Sequence, residues 1–166
     1  MPLLDTNYLT ITDMMMEFKT ELLMEEVRAV LQYYAGKRAA AKDEYFRYTV
    51  CEKDLGMILL LAEEGAMRID LYLNDLGGGF EISKEEVRFY LKVPEQISPT
   101  KENTLTSAIK NLLIRYIVFR WLRLAGNAEI LSYDMRSFCE EQINSLRETV
   151  TLYYPYRLFT RRLPPL

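Results

Sequence analysis

The run Gly77-Gly78-Gly79 separates two hydrophobic rhythms, and that break constrains the fold more than any other feature of the chain. Before it, Leu55, Ile58, Leu59, Ala62, Ala66, Ile69, Leu73 and Leu76 recur at the 3.6-residue spacing of one helix face. Met57, Leu60, Met67 and Leu71 lie off that face. A helix that is apolar on more than one side is expected at the centre of a core. After the glycines the period drops to two. Phe80 and Ile82 flank Glu81, and Val87, Phe89, Leu91 and Val93 alternate with Arg88, Tyr90 and Lys92. Alternation of β-branched and aromatic residues predicts a β-hairpin over 80–93, joined at Ser83-Lys84-Glu85-Glu86. Ser83 and Glu86 also match a helical capping box, but alternation over seven residues outweighs a four-residue motif. Pro94 and Pro99 bound a loop.

The remaining segments read as helices. Asp13 can cap a first helix over 14–34, with Gly36 as its stop. Residues 37–48, basic, alanine-rich and aromatic, form a connector. Thr49 and Glu52 fit the capping box of the second helix, which runs to about residue 76. A third helix spans 104–125 and stops at Gly126. A fourth, 127–153, turns Ala128, Leu131, Met135, Phe138, Cys139, Ile143, Leu146 and Val150 inward. The short Gly126-Asn127 link makes these two antiparallel neighbours. The expected architecture is therefore mainly α. A four-helix core carries one short β-hairpin inserted between helices 2 and 3, in a single helical domain over 1–154. An extended C-terminal tail follows over 155–166. A chain of 166 residues, 49% of them hydrophobic, can fill one such core.

Chemistry is harder to find. The chain has no histidine, which removes the commonest general base and the commonest zinc ligand. Its two cysteines, Cys51 and Cys139, sit among apolar neighbours without CxxC spacing and are expected as free buried thiols. The carboxylate pairs Glu25/Glu26, Glu63/Glu64, Glu85/Glu86 and Glu140/Glu141 are sequence neighbours. On a helix such neighbours diverge by about 100°, so they do not converge on one substrate. The glycine run follows a helix and precedes a strand, the reverse of a phosphate-binding loop. No catalytic, cofactor-binding or metal-ligating residue is expected, and the chain does not read as an enzyme. It has neither a signal-like N-terminus nor an uncharged apolar stretch of spanning length, so a cytoplasmic protein without a membrane segment is expected.

Charge is distributed unevenly. Residues 1–100 carry 11 Lys/Arg and 18 Asp/Glu, a net of −7, whereas residues 101–166 carry 10 and 6, a net of +4. In the third helix Arg120 and Arg123 fall on the extension of the apolar stripe. Either they reach solvent past the helix end, or they pair with carboxylates in the core or on a second subunit. The tail combines Arg157, Arg161 and Arg162 with Tyr154, Tyr156 and Phe159. Arginine supplies carboxylate or phosphate contacts, and aromatics supply stacking. These eight residues are the candidate subunit or partner contacts.

One resemblance is visible in the C-terminal part. Ile117-Val-Phe-Arg-Trp-Leu122, the helix start Asn127-Ala-Glu129, a long amphipathic helix and Arg161-Arg162-Leu-Pro-Pro follow in order. The Asp54-x-x-x-Ile58-Leu59 helix and the Val87-Arg-Phe-Tyr-Leu91 strand fit the same outline. Over residues 50–166 the chain resembles small bacteriophage or prophage head–tail connector proteins, also called neck or adaptor proteins, of the Bacteroidetes type. The resemblance implies a virion assembly subunit, a homo-oligomeric ring between portal and tail that touches other phage structural proteins. DNA would pass through it without specific binding. Against this stand a DNA-binding regulator with a winged-helix-like hairpin and a cytosolic protein-interaction module.

Overall fold

A nine-residue strand, Glu86–Pro94, sits at the centre of a three-stranded antiparallel sheet. The computed structural model describes residues 11–38, 50–73, 78–94 and 98–124, together with Glu141 and Asn144. In chain order the elements are β1 (Ile11–Lys19), α1 (Thr20–Arg38), a 3-10 turn (Glu52–Asp54), α2 (Leu55–Leu73), β2 (Gly79–Ile82), β3 (Glu86–Pro94) and α3 (Pro99–Leu124). The sheet order is β1-β3-β2.

The expected four-helix core is overturned. Three helices and a three-stranded sheet make up the described residues. The hairpin strands at 80–93 are present as β2 and β3, but they do not stand alone. Residues 11–19, of which 14–19 are expected as the start of a helix, form a third strand along the free edge of β3. The physical reason is side-chain parity. Met14, Met16 and Phe18 are buried and pair with Leu91, Phe89 and Val87. Met15, Glu17 and Lys19 point to the opposite face. A two-stranded hairpin is marginal in water, and a third strand doubles the ladder of the central one.

The two sheet faces have opposite character. On the inner face Phe89 lies between Phe18 and Phe80, with ring centroids 6.2 and 6.3 Å away, in the tilted geometry aromatic pairs favour. The outer face is a charge ladder. Lys19 bridges Glu17 at 2.8 Å and Glu86 at 2.9 Å, and Arg88 pairs with Glu17 and Glu86. The Lys19 ammonium holds the Glu17 carboxyl below its ordinary value, while Glu17 and Glu86 together raise Lys19. Opposite charges placed across strands fix register, because a one-residue slip would bury them.

Helix ends also differ from expectation. β1 runs into α1 without a loop, and the Thr20 N–H donates to the Glu85 carbonyl at 2.8 Å. The 3-10 turn that leads into α2 is capped by Cys51 and Asp54; Thr49, the expected partner of Glu52 in a capping box, lies outside the described residues. The Asp54 carboxylate accepts from the Cys51 N–H at 2.8 Å and from its thiol at 3.0 Å, which lowers the acid's pKa. Cys51 is therefore exposed at a helix start, not buried within one; Cys139 lies outside the described residues. Pro99, expected in a loop, is the first residue of α3, where its missing N–H costs nothing. Of the helix expected at 127–153, only Glu141 and Asn144 are described, and both are helical. The tail 155–166 lies outside the described residues.

One core joins all these layers. It includes Val27 and Leu31 of α1, Ile58, Ala66 and Ile69 of α2, the inward row of β3, and Ile109, Leu113 and Ile117 of α3. No helix among the described residues is long and apolar enough to cross a membrane.

Candidate interaction surface

Helix α2 is not enclosed. Its inner side packs on α3 and the sheet, but Met57, Leu60, Met67 and Leu71 are 44, 60, 52 and 70% exposed. The expectation that this helix lies at the centre of the core because it is apolar on more than one side is thus corrected: the off-stripe residues form a second, outward apolar stripe. Residues 57, 60, 64, 67 and 71 advance by three and four in alternation, which keeps them on one line along about 21 Å of helix. The signal was in the sequence as that spacing.

The one polar residue in the stripe is Glu64, and α3 holds it. The Tyr116 hydroxyl donates to Glu64 Oε1 at 2.8 Å, and Arg120 Nε reaches Glu64 Oε2 at 3.1 Å. Partial burial first, then the hydrogen bond to Glu64, pushes the Tyr116 phenol up to about 12. This cluster depends on a close helix crossing. A Cβ at Gly65 would come within 2.8 Å of Tyr116 Cδ1 and 3.0 Å of Leu113 Cδ1. Glycine at 65 lets α3 approach closely enough for Tyr116 and Arg120 to reach across to Glu64.

Of the eight candidate contact residues, Arg120 makes this intrachain pair and Arg123 is exposed at the end of α3. Tyr154, Tyr156, Arg157, Phe159, Arg161 and Arg162 lie outside the described residues. The flanks of the stripe carry charge. Glu63 and Asp70 edge it on one side and Arg68 on the other, with Glu63 and Arg68 exposed and Asp70 half-buried.

The carboxylate neighbours diverge wherever both are described. Glu26 meets Lys110 at 2.9 Å while Glu25 is exposed. Glu64 meets Tyr116 and Arg120 while Glu63 is exposed. Glu86 joins the sheet ladder while Glu85 turns to solvent. No group of three potential metal ligands occurs among the described residues.

No family model, curated protein or solved structure matches the chain.

Proposed function

We propose that this chain is a non-enzymatic assembly protein that works as a homo-oligomer, a subunit of a phage or prophage head–tail connector ring between portal and tail. The carrying observation is the outward stripe of α2. Four large apolar side chains on one helix line, each 44–70% exposed, form a contiguous patch rather than scattered surface residues. Patches of that kind mark protein contacts, and their burial stabilises by roughly 25 cal/mol per Å². Methionine and leucine on a rigid helix suit packing against another protein and offer no group that could move a proton or bind an anion.

The sheet surface argues against the DNA-binding regulator. Lys19, Arg88 and Lys92 are interleaved there with Asp13, Glu17, Glu81 and Glu86, so the face has no basic stripe to follow a phosphate backbone. The hairpin connection carries Lys84 beside Glu85 and Glu86. The test is titration of duplex DNA at two salt concentrations, with electron microscopy of the purified chain alone and with portal protein. Weak, salt-insensitive DNA binding and ring-shaped particles are expected. Tight binding that weakens steeply with salt would overturn the proposal in favour of a regulator.

A further inference from the structure

We infer that the outward stripe of α2 is covered by α2 of a second copy, the two helices parallel and in register. This deepens the assembly reading and rests on it. Three observations on this helix point to the same occupant. The first is spacing: Met57, Leu60, Glu64, Met67 and Leu71 advance by alternating threes and fours, the period at which one helix keeps facing another.

The second is charge. In a parallel, in-register pair, residue 63 of one helix lies beside residue 68 of the other, so Glu63 meets Arg68 twice across the two-fold axis. An antiparallel pair would instead set the Glu63 and Asp70 flank against its own copy, placing like charges together. Glu64, at the middle of the stripe, meets Glu64 of the other copy in the parallel arrangement. Each of these carboxylates already carries its own Arg120 and Tyr116, which supply the opposing charge and donor. A single polar position of this sort sets register in paired helices.

The third is area. The exposed parts of Met57, Leu60, Met67 and Leu71 amount to on the order of 400 Å² per chain, the size of the largest apolar patch on a typical monomer, which is often functional. With the charged flanks, two copies would bury on the order of 1,000 Å², the lower bound of a specific interface. The two-fold axis lies parallel to the helices and closes this contact at two copies, so a ring would join such pairs through other surfaces.

The experiment uses the full chain. Sedimentation across a concentration series should show self-association, and Leu60→Glu should weaken it by roughly a hundredfold, the scale of a central apolar contact. Glu63→Lys and Arg68→Glu should each weaken it by about fivefold, and the two together should restore it. All these side chains are exposed, and circular dichroism verifies that the variants stay folded. Geometry is read by oxidation in a Cys51→Ser, Cys139→Ser background. Leu60→Cys and Leu71→Cys should each cross-link to its own copy. Cross-links formed only when Met57→Cys and Leu71→Cys chains are mixed would overturn the parallel register. An oligomer whose mass ignores Leu60→Glu would overturn the α2 contact and leave the assembly reading standing. A monomer at every concentration, with the stripe bare or covered by the chain's own residues 125–166, would overturn it as well. Steep salt-dependent DNA binding, by contrast, strikes the assembly reading itself.

Discussion

At Gly65 the absence of one methyl group decides whether two helices can touch. Its Cβ would press on Tyr116 and Leu113, so Gly65→Val should destabilise the fold by about 2 kcal/mol through overpacking. Gly56, in the same helix, faces open space. Gly56→Ala should therefore stabilise by about 0.5 kcal/mol, because alanine gives up less backbone entropy than glycine on folding. Urea unfolding of the two variants should shift in opposite directions; a parallel shift would mean that the close crossing at 65 is wrong. Tyr116 makes a second prediction at this scale. Tyr116→Phe removes its bond to Glu64 and should cost about 1 kcal/mol at pH 8. The folded-state phenol, at about 12, is harder to ionise than the ordinary value of 10.0. Its contribution is therefore fully present below pH 10 and is lost as the pH rises through about 12. Wild type and Tyr116→Phe should converge in stability over that window. An absorbance titration at alkaline pH should lose one late-ionising tyrosine in the variant.

Among the elements, β1 shows most clearly what sequence patterns conceal. Methionine favours helices, and Met14-Met15-Met16 puts apolar side chains on both faces of a strand, so the alternation is blurred where it begins. Asp13 then supplied a plausible cap for a helix that starts seven residues later. Only pairing with β3 separates Met16 from Met15, since one lies against Phe89 in the core and the other opposite Tyr90 on the surface. Met16→Lys should accordingly prevent cooperative unfolding or lower the melting temperature severely. Met15→Lys should stay within about 0.5 kcal/mol of wild type. Equal effects at 15 and 16 would restore a helix there. The hairpin was legible because seven residues of β3 alternate without interruption, and Ser83 closes the turn. Its hydroxyl accepts from the N–H groups of Glu85 and Glu86 at 3.3 and 3.1 Å. The start of α2 was legible only approximately. Thr49-Val-Cys-Glu52 and Cys51-Glu-Lys-Asp54 both offer a carboxylate three residues on, and local sequence does not choose between them.

For the whole molecule, the buried core of the described residues runs from Met14 to Leu122 and draws on α1, α2, α3, β1 and β3, with Phe80 and Ile82 of β2 packed half-buried against it. Deleting residues 155–166 is expected to leave the thermal unfolding midpoint and the helical circular dichroism signal unchanged. Loss of the cooperative transition would place the tail in the core. The candidate surface was only half visible beforehand. The arginines were picked out because charge on an apolar stripe is conspicuous, yet Arg120 turns inward to Glu64, whereas the exposed side of α2 consists of the ordinary leucines and methionines of a core helix. By itself the chain determined its local rhythms: the helix before Gly77, the alternating strand after it, the long third helix, and the lack of a histidine for chemistry. Those follow from spacing and composition, which act within a few residues. Tertiary structure decided that 11–19 is a strand and that one apolar side of α2 is inside and the other outside. Both depend on what lies opposite, and side chains as similar as Met15 and Met16, or Leu60 and Leu61, carry no record of which neighbour they will meet.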